Sequence, residues 1–137
     1  MGSGNVAVPI DKELPAEEVK WLIGKADVTG TLVSKTYADL VMDVEGLQVM
    51  THRQLLAGGE GGTDDYELYH PQPEELACIF FTSGTSDRSK GVMLSHGNLA
   101  SEIVETSKLF KPAGTSTLVV LPFHHSFGLI VAVMMGL

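Results

Sequence analysis

The sequence predicts an α/β fold in which strands and helices alternate and the strands form a mostly parallel sheet. Three observations support this prediction. Short β-branched runs are followed by amphipathic helical patterns, this cycle is repeated between Thr29 and Ala57, and the later half opens on a continuous apolar run at residues 76–81. Such a run is typical of a strand that is covered on both faces.

In the first half, Pro15 and the acidic residues at 17–18 favour the start of a helix, because proline suits the first turn and carboxylates suit its positive end. A glycine-rich stretch at about residues 58–66 is expected to form a flexible surface loop. The predicted elements are an extended run at residues 6–10, a helix to about Lys25, a strand at 29–33, a short helix at 37–42, a strand at 47–50 and a helical turn at 53–57.

In the second half, the patterns predict strands at residues 76–81, 92–94 and 117–121, a helix at 96–110 and a further helix from Ser126. Ser95 is expected to cap the helix at 96–110. The buried stripe of that helix is expected to consist of Leu99, Ile103, Leu109 and Phe110.

Composition and charge bound the functions open to the chain. Its 137 residues suffice for one domain with a core, since 44% are hydrophobic and 19% charged. Lysine and arginine number 9 against 17 acidic residues, and this net charge of −8 argues against broad binding to nucleic acid or anionic lipid. The single cysteine, Cys78, is expected to be a small buried hydrophobe and suits a cytoplasmic location.

The two ends of the chain are unusual. Residues 1–4 lack the features of a signal peptide and are expected to be a cloning scar. The longest apolar run, residues 127–137, is 11 residues long, which is shorter than a membrane span of about 20 residues, so no transmembrane segment is expected. This run leaves apolar surface at the C-terminus, which favours self-association or cover by parts of a larger protein.

The loop between the strands at 76–81 and 92–94 has a composition that suits a phosphate. It combines hydroxyl side chains and glycines with Lys90, and glycine lets backbone N–H groups converge on an anion. The P-loop of nucleoside triphosphatases does not fit, because Gly84 is followed by five residues and then by Lys90 and Gly91 in reversed order. Taken alone, a loop of this kind is more often an ordinary turn.

Two motifs together give a specific resemblance. Residues 75–99 contain Thr82-Ser83-Gly84-Thr85-Ser86 and Lys90-Gly91, and residues 121–129 place His125 three positions after Pro122. They resemble the signatures of the AMP-forming acyl-activating enzymes, a family that includes acyl-CoA synthetases and peptide-synthetase adenylation domains. The chain looks most like a fatty-acyl-CoA synthetase. The resemblance implies that residues 5–137 are a partial N-terminal AMP-binding domain with a Rossmann-like layer.

The resemblance also implies a reaction, in which a carboxylate attacks the α-phosphorus of ATP to give acyl-AMP and pyrophosphate and the acyl group then passes to coenzyme A. A fatty acid would be the carboxylate, and Mg²⁺ would accompany ATP. His125 would line the acyl pocket as the catalytic histidine. The β- and γ-phosphates would be held by Thr82, Ser83, Gly84, Thr85, Ser86 and Lys90.

Some features leave other interpretations open. His125 alone could serve as a core or helix-cap histidine, as is expected for His124, and the adjacent pair does not suggest a metal site, because neighbouring side chains diverge. Loops of the family usually carry glycine and proline where Asp87 and Ser89 stand, so weaker phosphate binding or a shifted loop is expected, with the charge of Asp87 offset by Arg88.

The adenine, ribose and hinge motifs of the family and its C-terminal lysine are not found in this sequence, so the chain alone is expected to be inactive. The alternative hypotheses are a non-catalytic module that binds nucleotide or acyl groups, and a structural module that associates with itself.

Overall fold

The computed structural model describes residues 3–58, 68–82, 89–109 and 118–134. The chain divides into two compact units, one formed by Ile10–Leu68 and the other by Met1–Pro9 together with Tyr69–Leu137. Each unit combines helices with a pair of hydrogen-bonded strands. The predicted α/β class is therefore confirmed.

The first unit, residues 10–68, contains a parallel strand pair. Its elements are helix α1 (Ala16–Lys25), strand β1 (Gly30–Val33), a 3₁₀ helix (Lys35–Leu40), strand β2 (Gln48–Thr51) and helix α2 (His52–Gly58). Strand β1 pairs with β2 from Gly30 opposite Gln48 to Val33 opposite Thr51. Helix α1 follows Pro15, carries Glu17 and Glu18 in its first turn and contributes Val19 and Ile23 to a core shared with Val41. The sequence predicted each of these elements, with bounds that differ by a few residues.

In the second unit, residues 1–9 and 69–137, the described residues form an antiparallel hairpin and two helices. Its elements are β3 (Leu76–Thr82), β4 (Lys90–Ser95), α3 (His96–Leu109) and a π-helix (Phe127–Met134). The extended run near the N-terminus contributes a single bridge, in which Ala7 pairs in parallel with Cys78 on β3. Buried side chains from β3, α3 and the π-helix form the core, which consists of Ala77, Cys78, Phe80, Leu99 and Ile130.

Parallel pairing is confirmed for β1–β2 but not for the hairpin. Strands β3 and β4 are antiparallel, with Thr82 opposite Lys90. Residues 83–89 join them, and a parallel arrangement needs a crossover of about a dozen residues or more. Chain length between the strands therefore fixes their relative direction.

Two further expectations are wrong. Leu109 is 81% exposed, because at about 100° per residue it lies about 120° around the helix axis from the half-buried Ile103, and it is the last residue of α3. Residues 118–120 form no strand, and Leu118 and Val120 are 85% and 77% exposed. A strand needs a hydrogen-bonding partner, and the described part of the chain offers none to this segment.

Three other expectations concern particular residues. Ile103 is half-buried and packs on the core as predicted, whereas Phe110 and Thr117 lie outside the described residues. Residues 59–66 of the predicted flexible loop also lie outside them, and Gly58 ends α2. Among the helices of the described residues, none has the length and apolar character needed to cross a membrane.

Candidate functional site

The hairpin brings together two of the residues predicted to bind phosphate. Thr82 ends β3, Lys90 begins β4, and the two stand directly opposite each other in the antiparallel register. Side chains of directly opposite residues lie on the same face, with Cβ atoms about 4.5–5.5 Å apart. A hydroxyl donor and an ammonium group thus border the same end of the hairpin.

The apolar sequence of β3 determines where this pair lies. Cys78 and Phe80 are buried at 0% and 4% exposure, and Thr82 is the next residue on the same face and is exposed. Lys90 is exposed in the same way. The pair therefore extends a buried face into solvent, where polar groups can meet a charged ligand while the preceding strand stays fixed in the core.

The remaining predicted phosphate ligands belong to the sequence between β3 and β4. Ser83, Gly84, Thr85 and Ser86 lie outside the described residues, as do Asp87 and Arg88. Ser89 is half-buried and lies just before β4. Thr82, Ser89 and Lys90 are thus the described residues that flank this part of the loop.

At the start of helix α3, the backbone N–H groups of residues 96–98 already donate hydrogen bonds to oxygen atoms of the protein. The N–H groups of His96 and Gly97 donate to the carbonyl oxygens of Glu75 (2.9 Å) and Pro73 (2.8 Å). Asn98 N–H donates to Ser95 Oγ at 3.2 Å, and Ser95 N–H donates to Asn98 Oδ1 at 3.0 Å. This reciprocal pair confirms Ser95 as the cap. A helix N-terminus attracts anions through unsatisfied N–H groups, so here the hairpin end is the better candidate for phosphate.

Glu75 is a structurally important residue that the motif analysis did not single out. Its carboxylate accepts hydrogen bonds from the Tyr69 hydroxyl (2.5 Å) and the Gln72 N–H (3.0 Å). These two bonds hold the pKa of Glu75 below its usual value, and the Tyr69 bond contributes most. Glu75 therefore ties the segment before β3 to the start of the hairpin. An acidic residue just before an apolar strand was the signal that could have identified it.

His125 lies on a turn before the π-helix. Its N–H donates to the Pro122 carbonyl at 3.2 Å, and its own carbonyl accepts the Leu129 N–H at 3.1 Å. The side chain is exposed, and its ring centroid is 4.3 Å from that of His124, with the rings tilted by 53°, so the expected divergence of the two side chains is wrong. The described contacts fix the backbone of His125 while leaving its imidazole accessible. They do not join it to Thr82 or Lys90.

Cys78 behaves as the sequence analysis expected. It is completely buried, and burial raises the pKa of its thiol to about 11. A thiol with so high a pKa carries almost no thiolate at neutral pH and is a poor nucleophile. Cys78 is therefore a core residue beneath the candidate site and does not take part in its chemistry.

Two glycines have structural roles that the sequence analysis did not predict. A Cβ atom on Gly97 would lie 3.0 Å from the Pro73 carbonyl oxygen, and one on Gly128 would lie 2.4 Å from the Pro122 carbonyl oxygen. A glycine near the start of a helical pattern is the only sequence signal for such close packing. Both glycines sit beside segments that carry motif residues.

Comparisons with known proteins agree with the two motifs. The profile of the family described as AMP-binding enzyme matches residues 1–137. Human mitochondrial malonate–CoA ligase ACSF3 is 32% identical over 140 residues, which cover 96% of this chain and 24% of the ligase. Long-chain-fatty-acid–CoA ligase 3 of Saccharomyces cerevisiae is 32% identical over 87 residues, which cover 61% of this chain and 12% of that protein.

A solved structure agrees with the fold as well. ATP-bound MatB from Rhodopseudomonas palustris superimposes with a TM-score of 0.86 at 27% identity, covering 98% of this chain and 28% of MatB. The chain thus spans about a quarter of the length of ACSF3 and MatB, with 24% and 28% covered. From the match along its whole length, the chain belongs to the AMP-binding enzyme family.

Proposed function

We propose that this chain supplies the pyrophosphate-holding part of an ATP-dependent acyl-CoA synthetase. The proposed reaction joins a carboxylate to the α-phosphorus of ATP, releases pyrophosphate, and then transfers the acyl group from acyl-AMP to coenzyme A. The observation that carries the proposal is the pairing of Thr82 with Lys90 at the exposed end of a hairpin whose first strand is buried. The family assignment supports the same interpretation.

The chemistry of these two side chains fits the phosphate tail of ATP. Lysine supplies a mobile positive charge, and the threonine hydroxyl donates a hydrogen bond to a phosphate oxygen. Departure of pyrophosphate builds negative charge on its oxygens, and fixed donors stabilise that charge without reorganising. Ser83, Gly84, Thr85 and Ser86 are proposed to add hydroxyl and backbone donors to the same anion.

Mg²⁺ is proposed to accompany ATP at this site. No group of three or more His, Cys, Asp or Glu residues occurs among the described side chains in metal-binding proximity. Protein-bound Mg²⁺ commonly keeps several waters and uses substrate phosphates together with one or two carboxylates. When bound, the ion would supply further charge neutralisation, while Lys90 and Thr82 hold the phosphates in place.

The carboxylate substrate is proposed to be a fatty acid, with His125 lining the acyl pocket. The malonate–CoA ligase similarity makes a short dicarboxylate the natural competitor in any assay. Because the chain covers 24% of ACSF3, we expect the isolated chain to form no acyl-CoA from ATP, coenzyme A and either acid. Turnover above background would contradict the proposed dependence on further parts of a synthetase.

Phosphate binding is tested directly by titrating the 137-residue chain with inorganic pyrophosphate and following backbone amide signals by NMR. We expect affinity of about millimolar or weaker, because few contacts must offset the cost of association. Among the residues that the structure describes, the largest shifts should occur at Thr82, Ser89 and Lys90. Lys90→Ala and Thr82→Val should each weaken the response, whereas Lys108→Ala on α3 should leave it unchanged.

Two outcomes of this titration separate the alternatives. Shifts that are absent, or that persist unchanged in Lys90→Ala, would contradict the phosphate site. Micromolar affinity of the chain alone, lost in Lys90→Ala, would instead favour a non-catalytic nucleotide-binding module.

Sedimentation at increasing concentration tests the proposed self-association. A cytoplasmic location is a proposal that rests on the single free thiol of Cys78.

A further inference from the structure

Gly128 occupies a position where no side chain fits. A Cβ atom built on it would lie 2.4 Å from the Pro122 carbonyl oxygen and 3.1 Å from the Leu121 carbonyl oxygen. Its φ angle lies outside the left-handed region, so the backbone conformation itself accepts any L-residue. Glycine is therefore needed at this position because there is no space for a side chain. The space is limited by two backbone oxygens, which cannot rotate away as a side chain would.

The carbonyl that approaches Gly128 also fixes His125. The Pro122 oxygen accepts the His125 N–H at 3.2 Å, and Leu129, the residue after Gly128, donates its N–H to the His125 carbonyl at 3.1 Å. The first bond closes the turn at residues 122–125, and the second joins that turn to the first turn of the π-helix. The bond that closes the turn loses its geometry if the Pro122 carbonyl moves away.

We propose that Gly128 is a positioning residue for His125, acting through the Pro122 carbonyl. A methyl group at residue 128 would push that oxygen back by about 1 Å, from 2.4 Å to the 3.4 Å where ordinary contact begins. A displacement of about 1 Å at a reacting group can reduce catalysis about a hundredfold. The importance for catalysis rests on the proposed function of His125, whereas the positional claim rests on the described geometry alone.

The experiment compares the 137-residue chain with its Gly128→Ala and Gly24→Ala variants by amide NMR and hydrogen exchange. Gly24 lies on α1, where a Cβ atom meets nothing within 4 Å, so it controls for the substitution itself. In Gly128→Ala, we expect exchange of the His125 amide to rise about tenfold or more as its hydrogen bond is lost. Signals of Thr82 and Lys90 should stay unchanged, and Gly24→Ala should leave His125 unaffected.

A general loss of packing would move the hairpin signals together with His125, which would contradict the proposal. An unchanged His125 amide in a folded Gly128→Ala variant would contradict it as well. If Gly128→Ala does not fold, the double variant Pro122→Gly/Gly128→Ala is measured, since glycine at 122 lets the carbonyl turn away. There we expect recovered hairpin signals with His125 exchange still raised, and wild-type His125 exchange would overturn the proposal.

The measurement uses no nucleotide and is therefore independent of the pyrophosphate titration. If no pyrophosphate binding is seen but His125 exchange rises as expected, the proposed function is contradicted and the positioning role of Gly128 is retained. If pyrophosphate binds but His125 exchange is unchanged in Gly128→Ala, the phosphate site is retained and only the role of Gly128 is contradicted.

Discussion

The two strand pairs of this chain are buried in different ways. Ala77 and Cys78 are consecutive residues of β3 and are both 0% exposed, so both faces of that strand are covered. In β1 and β2, exposed and half-buried residues alternate, and Leu32 and Met50 stand opposite each other with 59% and 45% exposure. The candidate phosphate site is attached to the strand with two covered faces. A loop that must hold an anion in fixed geometry benefits from a strand that cannot shift.

The sharpest test of this difference is to truncate one leucine in each region. Leu99 on α3 is 2% exposed and belongs to the core around β3, so Leu99→Ala should lower the free energy of unfolding by about 2–5 kcal/mol. Leu32→Ala on β1 should cost less than about 1 kcal/mol, because the side chain is already largely in water. Urea titration followed by the amide signals of each unit gives both values.

Leu109→Ala is the control for helix α3, since Leu109 is 81% exposed on the same helix and should change stability by about 0.5 kcal/mol or less. A cost for Leu32→Ala equal to that for Leu99→Ala would show that the outer face of β1–β2 is covered in solution. The distinction between the two strand pairs would then be lost.

Helix α3 is closely packed at a glycine, whereas α1 has a glycine with open space around it, and alanine substitutions test this difference. A Cβ atom on Gly97 would meet the Pro73 carbonyl oxygen at 3.0 Å, and that oxygen is held by the Gly97 N–H at 2.8 Å. Gly97→Ala should therefore destabilise the hairpin unit by about 1–3 kcal/mol. Gly24→Ala on α1 should stabilise its unit by about 0.5–1 kcal/mol, since alanine favours the helix and nothing is close. A stabilising Gly97→Ala would contradict close packing at the start of α3.

The two regions also differ in their helix caps, where the expected effect on stability is smaller. Ser95 and Asn98 cap α3 by reciprocal hydrogen bonds, whereas α1 follows Pro15 without a side-chain cap. Ser95→Ala should cost about 1 kcal/mol, because the Asn98 N–H loses its acceptor. Ser101→Ala in the middle of α3 should be neutral or slightly stabilising. Thermal unfolding followed by circular dichroism would compare the two, and equal effects would contradict the capping role.

Much of this arrangement could be predicted from local patterns. Pro15 with its following acids identified the start of α1, and the apolar run before Thr82 identified β3, because both signals act within a few residues. The direction of β4 was harder, since the prediction followed the alternation of strands and helices and not the short connection at residues 83–89. Leu109 was misplaced by counting apolar residues without their angle around the helix axis.

The least predictable features are close approaches between a backbone carbonyl of one segment and a glycine of a helix. Nothing local in the sequence shows that the Pro122 carbonyl reaches Gly128 or that the Pro73 carbonyl reaches Gly97. These approaches depend on how the turns fold back onto the helices. They are also the contacts that hold motif residues in place, so sequence patterns identified the chemical groups of the site better than the residues that support them.

The smallest expected effect is the loss of stability at low pH, because each region has a carboxylate whose pKa is lowered in the folded chain. Hydrogen bonding to Tyr69 lowers the pKa of Glu75 from its usual 4.5, and hydrogen bonding to Lys20 lowers that of Asp43 from its usual 3.8. Each group binds protons more readily in the unfolded chain than in the folded one. The stabilisation is therefore complete above the usual pKa and is lost as the pH falls through the lower folded-state value.

The partners of these carboxylates differ, and salt should separate them. Lys20 carries a charge, so about 1 M salt, where the Debye length is about 3 Å, weakens its attraction to Asp43. Tyr69 is a neutral donor, so its bond to Glu75 should resist salt. Stability of each unit from pH 7 to pH 2 should therefore decline less steeply in Asp43→Asn and Glu75→Gln than in the wild type. Added salt should imitate Asp43→Asn only, and equal salt sensitivity of both carboxylates would show that charge, and not the phenol hydrogen bond, governs Glu75.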